Sequence, residues 1–150
     1  MVDAEDDLTA HYKSWMGDTV AELATLRDAC ASAGDTLDEE TARRIYELSH
    51  NIKGLSGSFG YGLMTGVGTS LCRYFKHHKA PGSGNPVGTD PALVDSHLKA
   101  FQVIWENDIT GDGGEKGEAL IARLAGKVDA ALADADRGDD EGDDTDVSMV

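Results

Sequence analysis

The residues best suited to chemistry lie close together in the run Glu47-Leu48-Ser49-His50-Asn51-Ile52-Lys53-Gly54-Leu55-Ser56-Gly57. An imidazole, an ammonium three residues on and two residues without side chains are grouped there. If the run is helical, Ile45 can be set at zero on a wheel advancing about 100° per residue. Leu48, Ile52, Leu55 and Phe59 then fall within roughly 280° to 340° and define a buried stripe with Ile45. His50 falls at about 140°, Lys53 at about 80°, Gly54 at about 180° and Gly57 at about 120°. The imidazole is expected to project into solvent on the side away from the core. Each glycine costs roughly 1 kcal/mol relative to Ala in a helix interior. Two of them beside His50 are explained if they clear a path for another protein to reach the ring. Lys53 is placed to meet a dianion held on that ring through a charge-assisted hydrogen bond.

Amphipathic helices must position these groups. Leu8, Tyr12, Trp15, Thr19, Leu23, Leu26 and Cys30 recur in steps of three and four, which predicts a long first helix ending at Gly34. Thr36-Leu37-Asp38-Glu39 has the form of a capping box opening a second helix with Ile45, Leu48, Ile52, Leu55 and Phe59 inward. Gly60 and Gly62 break the pattern, and Leu63, Val67, Leu71 and Tyr74 mark a third helix. The stretch from Ala80 to Thr89, rich in Pro and Gly, reads as a loop. Asp90-Pro91 is a strong start signal for a fourth helix carrying Leu93, Leu98, Phe101 and Ile104 or Trp105. A turn over residues 110–114 precedes a fifth, with Leu120, Ile121, Leu124, Val128 and Leu132 inward and Asp112 and Glu115 available as caps. No strand pattern competes. The expected fold is all-α: an antiparallel up-down four-helix bundle with an additional helix, over residues 1–135.

The chain has 150 residues and 40% hydrophobic composition, which suits one domain with a real core. No apolar run approaches a membrane span, and the acidic N-terminus does not resemble an export signal, so the expected location is the cytoplasm. Cys30 and Cys72 are too far apart in sequence for a thiolate metal motif and are expected to be small core residues. The net charge of -15 argues against nucleic acid. Residues 136–150, DRGDDEGDDTDVSMV, read as a disordered acidic tail. Against this background Arg43, Arg44, Lys53, Arg73, Lys76 and Lys79 face only Glu47 between residues 43 and 79, a local excess of +5. The basic island suits an acidic partner surface.

The run from His50 to Gly60 resembles the His-x-x-Lys-Gly signature of histidine phosphotransfer domains, including its small residues and later Gly. The similarity continues through Leu63, Val67, Gly68 and Leu71. The same residues resemble the phospho-accepting domain of the chemotaxis kinase CheA, but no nucleotide-binding kinase region follows here. The resemblance implies a monomeric relay protein, without kinase activity of its own, phosphorylated at His50 through the ring nitrogen far from the backbone. Lys53 would stabilise the phosphoryl charge, and Gly54 and Gly57 would give access. Its implied partners are response-regulator receiver domains and a hybrid sensor histidine kinase, with Mg²⁺ held by the receiver. Arg43, Arg44, Glu47, Asn51, Ser58, Arg73 and Lys76 would form the docking face.

Rival readings are weaker. Glu47-Leu48-Ser49-His50 fits the Glu-x-x-His element of di-iron bundles, but no other His has Glu three residues before it. The glycines from Gly54 to Gly68 match no phosphate-loop pattern, and Gly62 and Gly66 are better suited to close helix packing. Residues 108–113 faintly follow a calcium loop whose twelfth position is Ala119 rather than Glu. His77 and His78 read as a basic helix end, and His11 and His97 as surface or boundary residues. A scaffold that binds receivers without passing phosphate is the non-catalytic alternative.

Overall fold

A computed structural model describes residues 4–78 and 89–139. Five helices account for most of them: α1 Ala4–Ser32, α2 Glu39–Ser56, α3 Gly62–His78, α4 Pro91–Glu106 and α5 Gly114–Asp139, with a 3₁₀ turn at Gly57–Phe59. No strand occurs among the described residues, and none of their helices is long and apolar enough to cross a membrane. The fold class is therefore all-α. Helix α5 continues to Asp139, past the boundary expected at 135, and the rest of the acidic tail, 140–150, lies outside the described residues. So do Lys79 and most of the expected loop, residues 80–88.

Helix boundaries follow local chemistry. The cap of α2 is Asp38 rather than Thr36: its carboxylate accepts from the Thr41 amide at 2.8 Å and the Thr41 hydroxyl at 2.9 Å. Asp38 lies immediately before Glu39 and so meets the first free amides directly, while the Thr36 hydroxyl bonds the Leu37 carbonyl instead. Asp90 caps α4 as expected, accepting from Ala92 at 2.9 Å and Leu93 at 3.4 Å, with Pro91 at the first position. After α2 the chain turns at Gly60, whose φ of 91° lies in the left-handed region that only glycine enters freely.

Cross-helix contacts fix the directions. Tyr12 meets Ser56 and Glu22 meets Arg44, so α1 and α2 run opposite ways. Lys53 meets Thr65 and Tyr46 meets Phe75 across α2 and α3; Ser70 meets His97 and Tyr74 meets Asp90 across α3 and α4. Arg27 ties α1 to Asp95 and Gln102 of α4. Helix α5 packs on α3 with numbers rising together, Gly66 against Ile121 and Arg73 against Asp129.

The core holds Met16, Leu23, Ile45, Ile52, Met64, Leu71, Tyr74, Leu98, Phe101, Ile104 and Leu124, none more than 2% exposed. Cys30 and Cys72 are buried thiols, and burial pushes both up, Cys30 to about 11. Three expectations fail. Leu8 is 58% exposed and Leu55 45% exposed, whereas His97 is fully buried. Leu8 lies in the second turn of α1, one turn before Tyr12, which is buried. Leu55 lies at the edge of the α2 stripe, because the buried face of α2 is turned toward Ser49, which meets α3 at Gly68, and Ser56, which meets Tyr12 of α1. At one end of the molecule Tyr12 stacks on Phe59 at 4.5 Å, and Tyr61 and Trp105 complete an aromatic cluster. Two loops are joined there by Gly111 donating to the Gly60 carbonyl at 2.7 Å and Leu63 donating to the Gly111 carbonyl at 2.8 Å.

Candidate functional site

Helix α2 carries the candidate site, and its rotation decides which side chains reach solvent. Ile45, Leu48, Ser49, Ile52 and Ser56 are buried, so the opposite face carries His50, Lys53 and Gly54, all exposed. The buried hydroxyls are satisfied: Ser49 donates to the Ile45 carbonyl at 2.8 Å, and Ser56 shares a 2.8 Å hydrogen bond with Tyr12. Their small size lets neighbouring helices approach α2 closely without pushing His50 inward.

The two glycines of the site differ. A Cβ built on Gly54 would have no neighbour within 4 Å, so packing does not require glycine there. A Cβ on Gly57 would lie 3.3 Å from the Thr65 hydroxyl oxygen, so that position is constrained by α3 as well. Gly68 of α3 matters from the other side. A Cβ there would lie 3.0 Å from the Lys53 Cβ and 3.1 Å from the Ser49 carbonyl oxygen. Its bare backbone therefore sets how close α3 comes to the helix turn that carries Lys53.

The expected docking residues separate into two groups. Arg43, Glu47, Asn51, Ser58 and Lys76 are exposed. Arg43 lies two turns before His50, on the same face. Arg44, although also exposed, grips Glu22 with two hydrogen bonds of 2.6 and 2.8 Å and pairs with Glu47 at 3.3 Å. The guanidinium holds the Glu22 carboxyl below its ordinary range. Arg73 pairs with Asp129 at 2.9 Å and reaches the Ala125 carbonyl. These two arginines bind the helices to each other, so the basic island is smaller than the count of charges implied. Arg43, Lys53 and Lys76 form no ion pair with other described residues.

No family model, curated protein or solved structure matches the chain.

The arrangement itself limits the chemistry. Two shallow surface hollows lie between α1 and α4 and between α3 and α5, and neither includes His50. An imidazole on a convex helix face suits a macromolecular partner better than an enclosed small substrate. Among the described residues no group of three or more His, Cys, Asp or Glu is gathered as a metal would need, and Glu47 is paired with Arg44. One feature beside His50 was missed in the sequence. Tyr46, one turn earlier, lies ring to ring with His50 at 6.1 Å and 27°, and Phe75 of α3 meets Tyr46 edge-on at 5.9 Å. The spacing of four between Tyr46 and His50 was the available signal.

Proposed function

We propose that this chain is a histidine phosphotransfer protein, an up-down four-helix bundle of α1 to α4 with α5 alongside, which relays a phosphoryl group between receiver aspartates. The observation that carries the reading is an exposed imidazole one turn from Lys53 and beside Gly54, where the fold does not need glycine. In the forward step the His50 Nε2 lone pair attacks phosphorus of an aspartyl phosphate. The N–P bond forms, the P–O bond to the aspartate breaks, and the carboxylate leaves with the electron pair. The imidazole keeps its Nδ1 proton. In the second step a carboxylate of another receiver displaces the imidazole in the same manner. Lys53 offsets the charge of the phosphoryl group on the ring, and bare backbone at Gly54 admits the receiver's acidic pocket. Mg²⁺ held by the receiver would supply charge neutralisation for its aspartyl phosphate.

The test mixes the chain with a receiver carrying labelled aspartyl phosphate. Label is expected on the native chain, lost in acid and stable in alkali, and absent from His50→Gln. Equal labelling of that variant refutes the site. A folded native chain that binds the receiver and takes no label refutes phosphotransfer in favour of a scaffold. Gly54→Ala is expected to raise stability by up to about 1 kcal/mol, because the helix gains a better former in open space, while transfer slows.

A further inference from the structure

We propose that Tyr46 is a positioning residue for His50, holding the imidazole in the rotamer that presents Nε2 to an approaching phosphoryl group. The proposal rests on the phosphotransfer reading and adds a part that the His-x-x-Lys-Gly run does not contain.

A histidine on an open helix face has several staggered side-chain wells available to it. In a helix long side chains lean toward the N-terminus, over the residue one turn earlier. For His50 that residue is Tyr46, whose ring lies 6.1 Å away with 27° between the planes. Tyr46 would itself be a loose support if it stood alone, since it is 37% exposed. It is braced by Phe75, whose ring meets it edge-on at 5.9 Å. Phe75 in turn lies 5.7 Å from Tyr74, a ring wholly buried in the core. A chain of aromatic contacts therefore runs from the core of α3 to the imidazole on α2. Its last member limits the ring's freedom from the N-terminal side and leaves the Gly54 side open. Orientation of the nucleophile before encounter is what in-line transfer rewards.

Two measurements test the assignment. In the free protein, three-bond couplings about the His50 Cα–Cβ bond are expected to report one dominant rotamer. They should average in Tyr46→Ala and Phe75→Leu and remain as native in Tyr46→Phe. Averaged couplings in the native protein overturn the proposal whatever the function. In single-turnover labelling from a phosphorylated receiver, Tyr46→Ala is expected to lower the saturating rate about threefold, the dilution of one well among three. The half-saturating receiver concentration should not change, and Tyr46→Phe should transfer as native. A rise in half-saturation at unchanged maximal rate would make Tyr46 a docking contact and sink the positioning role. Native rates in Tyr46→Ala, with His50→Gln unlabelled, overturn the proposal and leave phosphotransfer standing. A native chain that takes no label overturns both.

Discussion

His97 and His50 have the same side chain in opposite surroundings, and the difference predicts how the protein responds to acid. The His97 ring is fully buried between α3 and α4. Its Nδ1 lies 2.9 Å from the Leu93 carbonyl, which can only accept, so Nδ1 carries the proton. Nε2 therefore accepts from the Ser70 hydroxyl at 2.9 Å. Burial pushes the His97 pKa below its ordinary value, and the hydrogen bond to Leu93 opposes this only in part. The unfolded chain, with an imidazole near 6.5, then binds more protons than the folded one as pH falls. The contribution of His97 is full above about pH 6.5 and is lost as pH falls from there through the depressed folded value, with a slope of at most about 1.4 kcal/mol per pH unit. Denaturant titrations at pH 7.5 and 5.5 check this. His97→Leu should lose less stability between the two pH values than native protein, and an equal loss would assign the acid sensitivity to other groups. A lone His on an otherwise apolar stripe did not reveal its burial, because the receiving hydroxyl, Ser70, belongs to another helix.

The seam between α2 and α3 makes a sharper prediction than helix propensity alone. Alanine in place of either Gly66 or Gly68 gains up to about 1 kcal/mol of helix preference. At Gly66 the new methyl would meet the Ile121 Cδ1 at 2.9 Å, the tip of a flexible side chain that can turn aside. At Gly68 it would meet the Ser49 carbonyl and the Lys53 Cα, backbone that moves only with α2 itself. Gly66→Ala is expected to be near neutral and Gly68→Ala to cost about 1–3 kcal/mol, the usual range for overpacking. Thermal denaturation of the two variants checks the order, and a more stable Gly68→Ala would show that α2 can yield. The same seam explains what sequence could and could not reveal. The outward direction of His50 was legible because Ile45, Leu48 and Ile52 define the core side alone. The exposure of Leu55 was not, since periodicity describes one helix and is blind to where its neighbour lies. The Asp90-Pro91 start was legible as a purely local signal. At α2 the capping box expected from Thr36 did not form, and Asp38, adjacent to the helix, caps it instead.

Over the whole molecule the charges oppose one another by distance, which makes the salt dependence of partner encounter informative. Under the proposed relay function, the net charge of -15 would repel an acidic receiver at long range. On α2 and α3 the exposed basic residues include Arg43, Lys53 and Lys76, while Arg44 and Arg73 are already held by Glu22, Glu47 and Asp129. At 0.1 M salt the screening length is about 10 Å, so the patch near the contact outweighs the distant acids. Local attraction gives a transfer rate that falls with added salt; net repulsion gives one that rises. With subsaturating receiver, the native second-order rate is expected to fall between 0.05 and 0.5 M salt, roughly the range over which screening tightens around the patch. Arg43→Glu combined with Lys76→Glu should slow transfer about tenfold at the low end and reverse or flatten the slope. Both positions are exposed and form no ion pair with other described residues, so the fold should tolerate the change. Unchanged rates at low salt in a folded double variant would place the receiver on another face of α2. The docking face would then have to be sought away from Arg43 and Lys76, on the side of Asn51 and Leu55.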